Sequence, residues 1–351
     1  MDNENVEQKH TRRVRYSGTH PKNYKEKYKE LQPQKYADTI EKVISRGSTP
    51  AGMHISICVK EILDFLQIKQ GQKGLDATLG YGGHTREMLK CLGASGHIYA
   101  IDVDPIESLK TEARLRSEGY GADILTVKQM NFADIDKLAA EVGLFDFVLA
   151  DLGLSSMQID NPERGFSYKT EGPLDLRLNP QKGISAAQRL KTITQDELEG
   201  MLKENADEPY ADIISEAITA KIALGADIST TTELRQIIDK ALEFLPADEH
   251  KDAVKKTCQR TFQALRIDVN NEFEVLYDFL EKLPNITASN GRIAILSFHS
   301  GEDRLVKKAF KRLFSAGIYS EISSEIIRPS AEECYTNSRA RSAKMRWAIR
   351  T

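Results

Sequence analysis

The sequence predicts an α/β protein in which a parallel sheet carries helices on both faces and is interrupted by an inserted all-helical domain. Three observations carry that prediction. Short apolar runs alternate with helical patterns between about residues 55 and 150, the mark of a sheet buried on both sides. One strand-to-helix bend, DATLGYGGHTREML from Asp76 to Leu89, is glycine-rich in the manner that admits a ligand to the backbone. From roughly Pro180 to Cys258 the strand signal vanishes into helical periodicity with polar faces of Glu, Lys and Gln, and it returns at RIAILSF, Arg292–Phe298.

In chain order, residues 1–50 are polar and basic and close on Gly47-Ser48-Thr49-Pro50-Ala51-Gly52, which reads as a linker. Ile55–Leu66 has the spacing of an amphipathic helix. Leu75–Leu79, His97–Val103, Ile124–Val127 and Phe145–Ala150 read as buried strands, with Pro105–Glu118 the clearest helix between them. After the helical stretch and the strand at Arg292, a helix through Leu305–Leu313 and two β-like runs, Tyr319–Ile327 and Arg341–Ile349, complete the sheet. The expected division is a basic extension (1–50), a first part of the sheet domain (51–178), a helical substrate-recognition insert (179–260) and a second part of the sheet domain (261–351).

At 351 residues and 40% hydrophobic content the chain can bury a sizeable core, which excludes a disordered class. Cys58, Cys91, Cys258 and Cys334 form no C-x-x-C pair, so they read as reduced thiols, and the ligand spacing suggests no metal. No apolar run is long enough for a bilayer span and no signal-peptide core is present, so the expectation is a cytoplasmic protein. A net charge of −3 confines any RNA contact to local patches. Two qualify: the arm from His10 to Lys35, where Arg and Lys interleave with Tyr16, Tyr24 and Tyr28, and the C-terminal group Arg339, Arg341, Lys344 and Arg346 beside Trp347. The plain alternative for such runs is a solvated surface.

The glycine bend restricts its ligand. A nucleoside triphosphate loop needs Lys-Ser/Thr after its glycines, whereas Gly83 is followed by His84-Thr85; the dinucleotide fingerprint meets Thr85 where its third glycine belongs. Acids flank the bend instead: Asp76 in the first strand, Asp102 at the end of the second, and Asp151 at the end of the fourth. A carboxylate at position 102 can accept both ribose hydroxyls of an adenosine while the backbone N–H groups of Gly82 and Gly83 face the ligand. S-adenosylmethionine suits this set because it offers a ribose, an adenine, an amino-acid end and a sulfonium, and no phosphate. The alternative for Asp102 is a helix N-cap before Pro105.

The segment after the fourth strand, ADLGLSSMQIDNPERGFSY, has no Pro-Cys for attack on a pyrimidine ring carbon, and it shares an acid but no prolines with the Asp/Asn-Pro-Pro-aromatic run of amino-methylating enzymes. Together with DATLGYGGH, GPLDLRL, FQALRIDVNNE, SFHSGEDRLVK and NSRARSAKMR it resembles the bacterial small-subunit rRNA cytosine-N4 methyltransferase family, the MraW family, over about Gly52–Trp347 and in the family's order. The resemblance implies a class I methyltransferase (Rossmann-like) fold with an inserted helical domain, S-adenosyl-L-methionine as donor, and a cytidine of the small ribosomal RNA as target.

Carried over by motif, the implied cofactor contacts are Gly82, Gly83, His84, Asp102, Phe132, Asp151 and Gln158. Phe132 can lie on the adenine face; taken alone it would read as a core aromatic. The reaction is an in-line displacement at the sulfonium methyl by the exocyclic amine of cytosine, a poor nucleophile that gains from an oxygen to receive its proton. Asp151 is the first candidate for that catalytic role, ahead of Ser155 and Ser156. For the substrate, Arg266 and Asn270 share a helix face with Phe262, and His299 ends the fifth strand, with Ser300 and Asp303 read as a helix-capping pair. Arg164, Phe166, His299 and Arg304 are expected to hold the flipped base or its phosphates, and Arg339 and Arg341, alternating on an extended segment, to bind phosphate.

Departures from the family pattern are the basic arm, the run His54-Ile55-Ser56-Ile57-Cys58-Val59, Gly301 in place of a leucine, and a shortened stretch before Asn337. They point to a divergent paralogue acting on small-subunit rRNA or the assembling subunit, with a homodimer left open. The alternatives are the same chemistry on another RNA such as transfer RNA, and a non-catalytic RNA-binding assembly factor.

Overall fold

The computed structural model describes residues 56–351, so the basic arm lies outside the described residues. A short helix α1 (Val59–Leu66) precedes β1 (Lys73–Asp76), α2 (Gly83–Leu92), β2 (His97–Asp102), α3 (Pro105–Ser117), β3 (Leu125–Gln129), α4 (Ile135–Val142), β4 (Phe145–Asp151) and α5 (Ser156–Asp160). The helical segment follows as α6 (Ala186–Leu190), α7 (Gln195–Ala206), α8 (Ala211–Ala223), α9 (Thr231–Ala241) and α10 (Ala247–Asn270). The chain returns to the sheet through α11 (Glu272–Ile286), β5 (Thr287–Ser297), α12 (Ser300–Ser315), β6 (Tyr319–Ile322), α13 (Ala331–Thr336) and β7 (Lys344–Arg350).

The strands form one seven-stranded sheet in the order β3-β2-β1-β4-β5-β7-β6. β1 to β5 are parallel, and β7 runs antiparallel to both β5 and β6. This is the expected α/β architecture with one addition, the reversed last strand, which period-2 patterning alone cannot reveal. Two apolar layers cover the faces: one from α4, α11 and α12 against Leu75, Val148, Ile293 and Ile295, the other from α1 and α2 against Ile98, Phe147, Leu149 and Leu296. Gly74 shows how tightly β1 and β4 fit, since a Cβ there would fall 2.1 Å from the Phe147 ring.

The helical segment has its own core, from Phe166 and Leu174 through Ile214 and Leu234 to Leu265. Its last helix, α10, passes unbroken through residue 260, and it thereby carries the sheet-side residues Gln263, Arg266 and Asn270 on the same rod as the helical core. No helix among the described residues is long and apolar enough to cross a membrane.

Two local expectations are corrected. Asp303 is no cap: His299 is the N-cap of α12, with Glu302 closing a capping box at N3, and Asp303 instead pairs with Arg346 at 2.6 Å. Arg339 and Arg341 do not alternate on an extended strand. Asn337 accepts from the Arg339 N–H and starts a 3-10 helix over Ser338–Ser342, and β7 begins only at Lys344.

Candidate active site

The strand order reverses between β1 and β4, so the connections leaving their carboxyl ends run in opposite directions along the sheet, and ligands collect at such a switch point. A cleft of about 620 Å³ opens there, bounded by the glycine turn, the ends of β2 and β4, the segment 152–159 and the far end of α10.

The turn is built by backbone demands. Gly80 and Gly82 have φ of 48° and 69°, the left-handed region that glycine enters without a Cβ penalty. A Cβ at Gly82 would also meet Thr111 Cγ2 at 2.8 Å. α2 then starts with no side-chain cap and no acid in its first turn, which leaves its leading N–H groups for a ligand. Beneath the turn, the buried Asp76 accepts from the Thr85 hydroxyl at 2.6 Å and the Thr78 N–H at 3.1 Å.

Asp102 is held across from the turn: Oδ2 accepts the Gly80 N–H and Oδ1 the Asp104 N–H, each at 2.8 Å. Burial pushes its pKa up to about 6, although those two N–H groups favour the charged form. The N-cap of α3 is Asp104, which receives the N–H groups of Ile106 and Glu107, so Asp102 is left to face the cleft. Asp151 is fixed by its own N–H, donated to Thr78 Oγ1 at 2.6 Å. Its Oδ2 lies 3.5 Å from His84 Nδ1, and its Oδ1 is buried with no hydrogen-bond partner among the described residues. Burial pushes this carboxyl up to about 6 as well; His84 pulls the other way, while Asp76 and Glu302 reinforce the rise.

Phe132 lines the cleft on a 3-10 turn that Asn131 caps, its ring 4.9 Å from that of Phe279. Gln158 lines it too, but closes the capping box of α5 with its carbonyl oxygen and donates from Nε2 to Asp104 Oδ2 at 2.8 Å. What it offers a ligand is the second N–H of that amide.

The residues expected to meet substrate separate into two groups. Arg266, Asn270, His299 and Arg339 line the cleft. Arg266 forms a two-pronged pair with Glu272 at 2.7 and 2.8 Å, and Arg339 pairs with Asp160 at 3.0 Å. Asn270 accepts the Leu178 N–H and donates to Leu176 O and Arg266 O. His299 Nε2 stands 3.1 Å from Glu302 Oε1 without hydrogen-bond alignment.

Arg164 and Phe166 are corrected. The buried Arg164 donates to Asp104 Oδ2 and to the carbonyls of Arg177 and Leu178, and Phe166 sits in the helical core beneath that guanidinium; neither borders the cleft. Arg304, 3.8 Å from Asp207 Oδ2, and Arg341, whose Nε donates to Cys334 O, lie on the exposed surface outside it.

Sequence reasoning missed Glu302 and Glu272. Glu302 is buried at the cleft wall, where burial alone would raise its pKa, but His299 and Arg266 bring it below the usual carboxylate range. The signal was present as His299-x-x-Glu302, a capping box at the end of a buried strand. Glu272, His299 and Glu302 each place a ligand atom within 4.8 Å of the others, and the charge a cation would bring is already supplied by Arg266. The segment Leu174–Asn179 forms a strap beside the cleft, with Leu176 buried at φ 63°, a strained conformation for such a side chain.

The site as a whole favours a cation. Asp76, Asp102 and Asp151 converge with backbone amides, hydroxyls and one imidazole as their partners, and a positively charged ligand would relieve the cost of their burial.

Comparison with known proteins identifies the relatives of the chain. The MraW methylase family model matches residues 51–351. The chain is 72% identical over 347 residues to ribosomal RNA small subunit methyltransferase H 1 of Lachnoclostridium phytofermentans, covering 99% of this chain and 95% of that one. It is 55% identical over 344 residues to ribosomal RNA small subunit methyltransferase H 2 of Acholeplasma laidlawii, covering 98% and 99%. Against ribosomal RNA small subunit methyltransferase H of Koribacter versatilis it is 38% identical over 303 residues, covering 85% and 94%. A solved SAM-dependent methyltransferase from Aquifex aeolicus aligns at TM-score 0.38 with 11% identity over 90% of this chain and 98% of that one.

Proposed function

The chain belongs to the MraW methylase family, and on that premise we propose how this S-adenosylmethionine-dependent rRNA methyltransferase uses its cleft to methylate the exocyclic N4 of a cytidine in small-subunit rRNA. Bound there, S-adenosylmethionine supplies an electrophilic methyl group on a positively charged sulfur. The chain's part is to bind, orient and remove a proton.

Asp102 takes the ribose hydroxyls, Phe132 the adenine face, and the uncapped N–H groups of Gly83 and His84 the polar groups of the donor, with Gly82 making the turn that presents them. Each charge-assisted hydrogen bond of this kind contributes about 1.5–3 kcal/mol. Asp151 receives the amine's proton on its carboxylate. Its position at the end of β4 and its raised pKa of about 6 make it a base that is ionised at neutral pH yet not too weak to accept a proton. His299, Arg266 and Asn270 form the wall that faces the cytosine, and Arg339 a phosphate contact at the rim. Holding amine and methyl in line is the larger part of the effect, worth roughly 7–11 kcal/mol in well-oriented systems.

The observation that carries this reading is the Asp151 carboxylate at the cleft wall, its pKa pushed up to about 6 by burial, among carboxylates that favour a cationic donor. The substrate is small-subunit rRNA, placing the enzyme in the cytoplasm. The direct test compares the modified nucleosides of small-subunit rRNA from cells with and without this protein. The reading expects N4-methylated cytidine to diminish at one position; an identical nucleoside profile overturns it.

A further inference from the structure

Helix α12 leaves the cleft wall from its N-cap, His299, and turns a basic face to solvent. Arg304, Lys307, Lys308, Lys311 and Phe314 recur at intervals of three and four residues, so they share one side of the rod. All are exposed, Phe314 by 46%. On the opposite side Val306, Ala309, Phe310 and Leu313 are buried in the layer that covers the sheet. The stripe begins just beyond His299 and runs about 15 Å along the helix axis.

This face carries no acid of its own. Glu302 is buried at the cleft, and Asp303 is taken by Arg346 at 2.6 Å. Arg304 stands 3.8 Å from Asp207, and Arg312, on the flank, pairs with Glu281. Lys307, Lys308 and Lys311 form no ion pair among the described residues. Lysines on other exposed helix faces of the chain are matched one turn away, Lys60 by Asp64, Lys203 by Glu199 and Lys256 by Asp252. In a chain of net charge −3, these unmatched lysines concentrate positive potential beside the cleft.

Resting on the rRNA reading above, we propose that this face of α12 is the track for the phosphate backbone of the RNA strand that leads to the target cytidine. A lysine ammonium on its flexible stem meets a phosphate as a point charge, which positions a strand without reading its sequence. Phe314 at the far end offers an aromatic face to an unpaired base, the combination by which single strands are held. Arg304, which lies outside the cleft, is the first contact of this track and does not hold the flipped base. A strand fixed here passes His299 as it enters the cleft, so the surface also restricts where the amine can go.

The electrostatic part has a definite size. Neutralised phosphates release counterions, and for a single strand log affinity falls with log salt by about 0.7 per contact. Lys307→Gln, Lys308→Gln and Lys311→Gln together should make that slope shallower by about 2 and weaken binding at about 0.1 M salt by roughly a hundredfold. Gln is as good a helix former as Lys, so the helix survives the change. Arg at the same three positions should keep the slope. Phe314→Ala should weaken binding about fivefold or more and leave the slope alone. S-adenosylmethionine affinity should be unaltered in each variant, since none of these residues borders the cleft.

Equilibrium binding of the full chain to small-subunit rRNA over a range of salt, without donor, decides the matter. The control makes the same change to Gln at three exposed lysines of the helical segment, Lys240, Lys251 and Lys255. The expected result is a shallower slope for the α12 variant and a wild-type slope for the control. An unchanged slope in the α12 variant, or an equal loss in the control, overturns the proposal. The two readings fail separately: N4-methylated cytidine made by a chain whose RNA binding ignores the α12 lysines sinks this inference alone. Tight RNA binding that depends on those lysines, with no methylated cytidine formed, sinks methyl transfer alone.

Discussion

Arg164 Nη1 donates to Asp104 Oδ2 at 2.6 Å, with the two side chains 8% and 0% exposed. The same guanidinium donates to the carbonyls of Arg177 and Leu178, and Asp104 in turn donates its N–H to Asp102. One buried pair therefore links the turn that carries Asp102 to the strap beside the cleft. Breaking such a pair from one side leaves an uncompensated charge and costs about 3–5 kcal/mol. Arg164→Ala should accordingly lower the thermal midpoint sharply. Arg164→Lys should recover only part of the loss, because an ammonium cannot copy the planar fork. Thermal melting of both variants checks this; a wild-type midpoint for Arg164→Ala would show the pair to be idle.

Asn270 anchors the strap from the other side, accepting from the Leu178 N–H at 2.7 Å and donating to the Leu176 carbonyl at 2.8 Å. Truncation to Ala strands those backbone groups and should cost about 1–3 kcal/mol. Amide hydrogen exchange at Leu178 should quicken in that variant ahead of exchange in the helical core. Unchanged protection at Leu178 would mean that the strap is held by other contacts.

These two anchors mark the limit of what the sequence made legible. The glycine bend and the acids at positions 102 and 151 could be read because each sits at the end of an apolar run, where periodicity breaks; Asp76 reads as lying inside a strand that runs to Leu79, whereas β1 ends at Asp76. Arg164 could not be read, since its partner Asp104 lies 60 residues upstream and meets it only after folding; an arginine in a polar motif looks the same whether it faces RNA or a buried carboxylate. Phe166 was misplaced for the same reason. The alternation of Arg339 and Arg341 suggests an extended segment, and the Asn337 cap that turns them into a 3-10 helix overrides that pattern. The reversed β7 follows from strand pairing, which is set by non-local contacts.

Asp102 carries a specific binding prediction. In Asp102→Asn one oxygen that can accept from the ribose is replaced by an N–H donor, so S-adenosylmethionine affinity should fall by about 10- to 150-fold, the equivalent of roughly 1.5–3 kcal/mol. Calorimetric titration measures it. An affinity within twofold of wild type would remove Asp102 from donor recognition.

The pH dependence of donor binding has a definite sign. Asp102 and Asp151 are pushed up to about 6 by burial, so between their unfolded values near 4 and about 6 the folded protein holds their protons more tightly. Their protonation stabilises the fold at the acid end, and that contribution is lost as pH rises through 6. Glu302 is shifted the opposite way, which makes the melting temperature alone a mixed signal. The shift in melting temperature caused by the donor is cleaner: ionised carboxylates bind a cation better, so the shift should grow from pH 5 to pH 7. A shift that shrinks over that range would contradict the electrostatic account of the cleft.

The most direct measurement incubates the purified protein with small-subunit rRNA, or the subunit that contains it, and S-adenosylmethionine bearing a deuterated methyl group, followed by mass spectrometry of the digested nucleosides. The account predicts the label in N4-methylcytidine at a single site with the wild-type chain and its absence with Asp151→Ala. Label on a ring carbon or on another nucleoside, or undiminished transfer by Asp151→Ala, would contradict it.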